Sequence, residues 1–299
     1  MKLSVITPIH NETECIPLFL DKIKPVLDDL KGIEGWQLFF VNDGSTDNSL
    51  DLLKHAHLKD NRINVISLSR NFGYQAALLA GLQTADSDVY AIIDVDCEDP
   101  PELLKVFLQK INEGNHLAYG IRSQRPEPKY IVWCRKIFYK LNMLIADSNV
   151  YMWMAEYSMF TRHLRNAILK PQTTFPFLRT EMAYAGYKSE GIQYQRQKRI
   201  AGKSHYKFYQ MARFAIAGIL AGTTFPLRFI LSLSVAIFLV FSVLLFSIHD
   251  LSLLTFLTID LGLFYLLITI PLISIYLART YKNVVNRPGF FIDPQDTYI

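Results

Sequence analysis

Asp94 and Asp96 stand one residue apart in a DVD triplet that closes the apolar run VYAII. If a strand runs through residues 89–96, the two side chains fall on one side of the pleat, and Glu98 takes the next same-side position. Carboxylates held that close repel one another unless a cation neutralises them. A hard ion such as Mg²⁺ or Mn²⁺, bound by one or two carboxylates together with diphosphate oxygens, would do so and would offset charge on a departing nucleotide. An acidic pair at a strand end can also be a simple loop cap. The third carboxylate favours the metal, with Asp94, Asp96 and Glu98 as expected ligands.

A second constellation is VNDGSTDNS at residues 41–49. Gly44 permits a positive φ, and Ser45 or Asp47 can cap a helix beginning near Ser49. Asp47 is expected to serve as a cap only. Asp43, at a strand's carboxyl end, can accept hydrogen bonds from a base or a ribose.

These residues need a scaffold that brings them together. Apolar runs LSVITPI, WQLFFVN, INVISLS and VYAIIDVD alternate with helical patterns around Cys15 to Leu30, Ser49 to His57, Tyr74 to Thr84 and Pro101 to Glu113. Such alternation predicts an α/β fold with a doubly wound, mostly parallel sheet whose ligands sit at the strands' carboxyl ends. HNE, NDGSTD, SRN and DVDCED follow the four predicted strands, so four polar clusters should converge on one edge of the sheet.

The 299 residues suffice for one such domain and an appendage. A net charge of +4, with a pI near 8.8, is too mild for nucleic acid and suits anionic headgroups and phosphorylated substrates better. Cys15, Cys97 and Cys134 are isolated and lack metal-ligand spacing, as free thiols of a reducing compartment would. The N-terminus enters a strand-like segment with no secretory pattern.

Apolar residues are concentrated toward the C-terminus. Phe229 to Ile248 carries no Asp, Glu, Lys or Arg, and about 20 helical residues span roughly 30 Å, the thickness of a bilayer core. After His249 and Asp250, a second span is expected over Leu257 to Ala278, with Asp260 near the far interface. Lys203, Lys207, Arg213 and Arg228 precede the pair, Arg279, Lys282 and Arg287 follow it, and the connection has no Lys or Arg. The positive-inside tendency then places both termini in the cytoplasm, with the bacterial inner membrane as the expected site. Basic amphipathic segments at 129–146 and 206–228 can lie on headgroups; the first fits an ordinary core helix equally well. The expected domains are a catalytic unit over 1–205, a juxtamembrane helix over 206–228, a transmembrane hairpin over 229–278 and a cytoplasmic tail over 279–299. That tail is read as a surface strand or a disordered end.

ITPIHNE, FVNDGSTD, LSRNFGYQAALLAGL, IDVDCEDPPEL, YGIRSQR, RIAGKSHY and the closing VNRPGFF, in this order, resemble the GT-A glycosyltransferases of family 2. Within that family the likeness is to polyprenyl-phosphate sugar transferases of the bactoprenol glucosyltransferase and dolichol-phosphate mannose synthase type. It implies that Pro8, Asn11, Glu12 and Asp43 line a nucleotide pocket, that Asp94 and Asp96 hold nucleotide and metal, and that Asp96 takes part in catalysis. Glu98 stands where the subgroup often has Gln. Arg122, Arg199 and Lys203 fall in segments that approach the diphosphate or the acceptor phosphate.

The chain departs from the subgroup at MAEYSMFTR, where G-D-F-R-L is typical. Glu156 replaces a catalytic-site Asp and Ser158 replaces an Arg. The glutamate arm is longer by roughly 1.5 Å, and serine has no bidentate fork for phosphate.

The expected reaction is an inverting displacement with a nucleotide-sugar donor, a UDP-glucose-like one, and a polyprenyl-phosphate acceptor at the membrane. The lipid phosphate attacks the anomeric carbon and the nucleoside diphosphate leaves. A phosphate monoester is largely ionised at neutral pH, so Glu156 would orient the acceptor or stabilise positive charge on the sugar instead of acting as a strong base. A processive polysaccharide synthase would use the same donor domain, but Gln193 to Arg196 gives Q-x-x-R followed by Gln197, and two spans do not enclose a channel. A silent scaffold that kept the fold is the reading from another class. Assembly of several copies is left open.

Overall fold

The computed structural model describes residues 1–123, 154–170, 177–201, 223–248 and 250–299. The amphipathic segment 129–146, residues 206–222 of the juxtamembrane segment, Lys203 and Cys134 lie outside the described residues.

The chain runs β1 (Lys2–Ile9), α1 (Cys15–Asp28), β2 (Gly35–Asn42), α2 (Ser49–Lys59), β3 (Ile63–Ser67), α3 (Tyr74–Thr84), β4 (Val89–Ile92) and α4 (Leu103–Asn112). It continues through β5 (Leu117–Ser123), β6 (Met154–Thr161), α5 (Arg162–Leu169), α6 (Leu178–Tyr184) and β7 (Ser189–Gln195) to two long helices, α7 (Phe225–Ser247) and α8 (Leu251–Val285). Seven strands form one sheet in the order β3-β2-β1-β4-β6-β5-β7. β1 to β4 are mutually parallel, β6 runs antiparallel between β4 and β5, and β7 is parallel to β5. The sheet is mostly parallel, as the alternating pattern predicts, with β6 as its one reversed strand.

Alternation along the strands builds two apolar layers. Leu3, Val5, Leu38 and Phe40 face α1, α2 and α4 through Phe19, Leu53 and Phe107. Ile6, Phe39 and Val41 face α3, α5 and α6 through Leu78, Leu164 and Leu178. Strands covered on both faces lose the polar positions of a half-exposed strand, hence their nearly continuous apolar runs. Each fully buried Phe or Leu contributes roughly 1.5–3 kcal/mol. α3 approaches closely at Gly81, where a Cβ would stand 2.6 Å from Cγ2 of Ile6.

β4 stops at Ile92, earlier than the apolar run suggests, so Asp94, Asp96 and Glu98 belong to a turn. Cys97 adopts φ 52° in that turn, which ends any pleat alternation. Their placement on one side of a continuing strand is therefore not the observed one.

α7 and α8 form a helical hairpin. Asp250 caps α8 by accepting from the backbone N–H of Ser252 (2.9 Å) and Leu253 (3.3 Å). Ser234 on α7 and Tyr265 on α8 share a hydrogen bond of 2.8 Å. Both helices are long and apolar enough to cross a membrane. On α7 only Ile230 is buried, and on α8 only Thr269. At 1.5 Å per residue α8 is about 50 Å long, more than a bilayer core needs.

Beyond α8 the tail returns to the sheet and is an ordered element. Val65 and Tyr298 exchange both backbone hydrogen bonds at 2.7 Å, and Ser69 N–H donates to the Phe291 carbonyl at 2.9 Å. Lys54 pairs with Asp296 at 2.9 Å. The tail thus covers β3, which stands at one edge of the sheet.

Candidate active site

The loops following β1 to β4 meet at the carboxyl ends of these parallel strands, as the four polar clusters predict. Asn11, at φ 57°, accepts from Thr46 N–H at 2.7 Å and donates its own backbone N–H to Ser45 Oγ at 3.0 Å. His10 Nδ1 bonds the Asp43 carbonyl at 2.9 Å, and the ring also meets the Asn71 amide. Asp47 accepts from Ser49 N–H at 3.0 Å, but Asn48 holds the N-cap position of α2, and Asp47 also accepts the Thr13 hydroxyl at 2.6 Å, so it links two loops instead of serving as a cap only.

Gly44 allows the second and third loops to touch. Its φ is +62°, and a Cβ there would lie 2.6 Å from the backbone of Arg70 and Asn71. Beside it Asp43, 4% exposed, accepts from the backbone N–H of Phe72 (2.6 Å) and Gly73 (2.9 Å). Burial raises its carboxyl despite those two donors. Asp43 therefore braces the SRNFG loop, a task the sequence did not suggest. Pro8 lies on β1 opposite Val41, at the rim of this nest.

Asp94 and Asp96 share the turn after β4 and feel one another's charge. Burial first, then the charges of Asp96 and Asp99, push the Asp94 carboxyl up to about 7, although Tyr74 donates its phenol O–H to Oδ1 at 2.8 Å. Asp96 is also raised, by burial foremost. A half-buried carboxylate pair suits a hard divalent cation, which needs only one or two such ligands besides phosphate oxygens. Among the described residues no three His, Cys, Asp or Glu side chains converge on one point. Glu98 is instead ion-paired with Arg196, and only its backbone N–H meets Asp96 Oδ1, at 3.1 Å.

Arg199 enters from the segment after β7. It is ion-paired with Glu12, and its Nη1 lies 3.4 Å from Asp96 Oδ2. The same segment is fastened by Gln197 N–H to the Glu98 carbonyl at 2.8 Å and by Ile200 N–H to the Asp96 carbonyl at 3.0 Å. Arg122 is placed differently from Arg199. It donates to Asp99 at 3.1 Å and to Tyr194 at 3.1 Å, and Tyr194 in turn donates to Asp99, which is 1% exposed. That cluster ties β5 and β7 to the end of the acidic turn.

Glu156 reaches the site from β6. The antiparallel register ends at Ile92 and Ser158, which leaves Asp94, two residues past the end of β4, on the side of the sheet where β6 carries Glu156. The charges of Asp94 and Glu156 both act on Tyr74, whose phenol is raised foremost by burial. Ser158 is fully buried and donates its hydroxyl to the Glu156 carbonyl at 2.9 Å. Glu156 Oε1 accepts from Gln75 Nε2 at 3.2 Å and lies 2.8 Å from Arg179 Nε. Tyr74, Gln75, Asp99, Arg179 and Arg196 were not legible as site residues. SRNFGYQ and DVDCED pointed to the right segments for three of them, Arg196 stood out only as the end of Q-x-x-R, and Arg179 carries no local signal.

The profile of glycosyl transferase family 2 matches residues 4–175, more than half of the chain. The protein belongs to glycosyl transferase family 2. A prophage bactoprenol glucosyl transferase homolog of Escherichia coli K12 is 31% identical over 234 residues, covering 76% of this chain and 74% of that protein. A bactoprenol glucosyl transferase of Shigella phage SfII is 29% identical over 309 residues, 98% of this chain and 97% of its own. The family 2 chain also shares the fold of a glucosyl-3-phosphoglycerate synthase of Mycobacterium tuberculosis solved with Mn²⁺, UDP-glucose and phosphoglyceric acid. The TM-score is 0.52 at 18% identity, over 74% of this chain and 79% of that one. The domain is accordingly a GT-A fold.

Proposed function

We propose that this family 2 glycosyltransferase transfers a sugar, with inversion, from a UDP-sugar to a polyprenyl phosphate at the cytoplasmic face of a membrane. The observation that carries the reading is the Asp94–Asp96 pair in the turn at the carboxyl edge of the sheet, with Asp94 raised to about 7 by burial and by the charges of Asp96 and Asp99. The phage relatives named for bactoprenol support the acceptor, and the apolar hairpin supports its setting.

Asp94 and Asp96 would hold Mg²⁺ or Mn²⁺, which when bound supplies positive charge against the leaving diphosphate. Glu98 stays with Arg196 and is not needed as a third ligand. Pro8, Asn11 and Asp43 shape the nucleoside end of the cleft, Asp43 through the SRNFG backbone it braces. Arg199, already between Glu12 and Asp96, is poised to pair with donor phosphate oxygens. Arg122 is assigned to holding the acidic turn through Asp99. Glu156 orients the incoming phosphate or faces positive charge at the anomeric carbon, and no proton needs to be taken from a nucleophile already ionised.

The test is transfer by the purified protein in detergent, with undecaprenyl phosphate and a panel of UDP- and GDP-sugars, with and without chelator. A lipid-linked sugar that needs a divalent ion, and that Asp96→Asn abolishes while the fold persists, is the expected result. Transfer unaffected by chelation would overturn the metal assignment, and a growing polysaccharide in place of a lipid-linked monosaccharide would overturn the acceptor.

A further inference from the structure

We infer that Gln75 and Arg179 are positioning residues that clamp one oxygen of Glu156 and thereby aim its other oxygen at the reacting centre. The inference rests on the reading of Glu156 given above and deepens it. Glu156 is 12% exposed in its side chain, and both of its partners converge on Oε1: the Gln75 amide at 3.2 Å and Arg179 Nε at 2.8 Å. Oε2 accepts no hydrogen bond from any described residue. A carboxylate with one oxygen held by a hydrogen bond and an ion pair, and the other open, is oriented as well as charged.

The clamp is itself held from behind. Gln75 Oε1 accepts the backbone N–H of Leu178 at 3.0 Å, which fixes the amide so that its NH₂ must face Glu156. Arg179 Nη1 donates to the Met154 carbonyl at 2.9 Å, two residues before Glu156 on the same strand. Three elements therefore meet at one oxygen: α3 through Gln75, β6 through Glu156, and α6 through Leu178 and Arg179. Oε1 is thus held by one amide hydrogen bond and one ion pair, and the side chain cannot rotate without losing both.

A glutamate needs such a device more than an aspartate does, since it has one more rotatable bond and more conformational entropy to lose on being fixed. Ser158 has turned its hydroxyl back onto the Glu156 carbonyl and supplies no cation to that carboxylate. The guanidinium beside it comes from Arg179, on a different element.

The test is kinetic, in the full-length protein, with lipid-linked sugar and released UDP both measured. Gln75→Met keeps the bulk and removes the hydrogen bond. It should lower kcat roughly tenfold with donor KM changed less than about twofold, as expected when alignment alone is lost. Arg179→Met should cost more than Gln75→Met, and Arg179→Lys should restore part of the loss. The decisive measurement is Gln75→Met in a Glu156→Asp background. There the carboxylate is shorter by roughly 1.5 Å and beyond the amide's reach, so the added substitution should cost nothing further.

Thermal melts of each variant separate misfolding from misalignment. Full kcat in Gln75→Met, a loss confined to donor KM, or losses that multiply in the Glu156→Asp background would each overturn the clamp. A wild type that releases UDP but forms no lipid-linked sugar would overturn the lipid acceptor alone, and the same variants would then be scored on UDP release.

Discussion

Tyr74 donates its phenol O–H to Asp94 at 2.8 Å, so the first residue of α3 steadies the ionised form of a carboxylate in the acidic turn after β4. Burial and the neighbouring charges of Asp96 and Asp99 push Asp94 up to about 7, and the phenol works against that rise.

Removing the phenol should move the pH profile. In Tyr74→Phe the Asp94 carboxyl rises above its present value of about 7, and less of it is ionised at neutral pH. The acidic limb of kcat/KM should shift to higher pH, with activity approaching that of the wild type in alkaline buffer. A profile that keeps its acidic limb in place would detach Asp94 from that limb.

The same shift has a sign for stability. An acid whose folded pKa is raised binds more protons folded than unfolded, so the ligand-free protein loses stability as pH climbs from 3.8 to about 7. Asp94→Asn does not titrate and should escape that loss, melting higher than the wild type at about pH 8 and without that advantage at about pH 4. Parallel melts at the two pH values check this.

Arg199 neutralises Glu12 and Asp96, whose side chains are 14% and 13% exposed. Arg199→Met leaves both carboxylates without this partner. The expected cost is about 2 kcal/mol, below that of a fully buried pair because water still touches the rim. Mn²⁺ should raise the melting temperature of the variant more than that of the wild type, since the ion supplies the missing positive charge. Equal shifts in both proteins would show that Arg199 does not balance these carboxylates.

Reporters fused at residue 1 and residue 299 should both be cytoplasmic, and one inserted at residue 250 should be on the far side. A C-terminal reporter on the far side would overturn the proposed topology.

The fold was legible where a strand or helix is determined by its own neighbours. Tyr74–Thr84 was expected residue for residue, because alternating apolar runs and α3's compact apolar face are local signals. β5, β6 and β7 were not foreseen, since MAEYSMFT becomes a strand only by pairing with β4 and β5. For the site, carboxylates in short motifs were visible, while their partners were not. Glu156 could be singled out by its departure from a familiar pattern, but Arg179 reaches it from another element, and no spacing announces that. Likewise Glu98 looked like a ligand in sequence and is committed to Arg196 in space.

The C-terminal strap on β3 gives the GT-A sheet two moorings. β7 and β3 are its opposite outer strands; the chain departs from the first toward the hairpin and comes back from the hairpin to the second. The cleft lies between those moorings, at the carboxyl ends of β1 to β4. A pull along α8 is therefore felt at the edge of the sheet, through the paired backbone of Val65 and Tyr298.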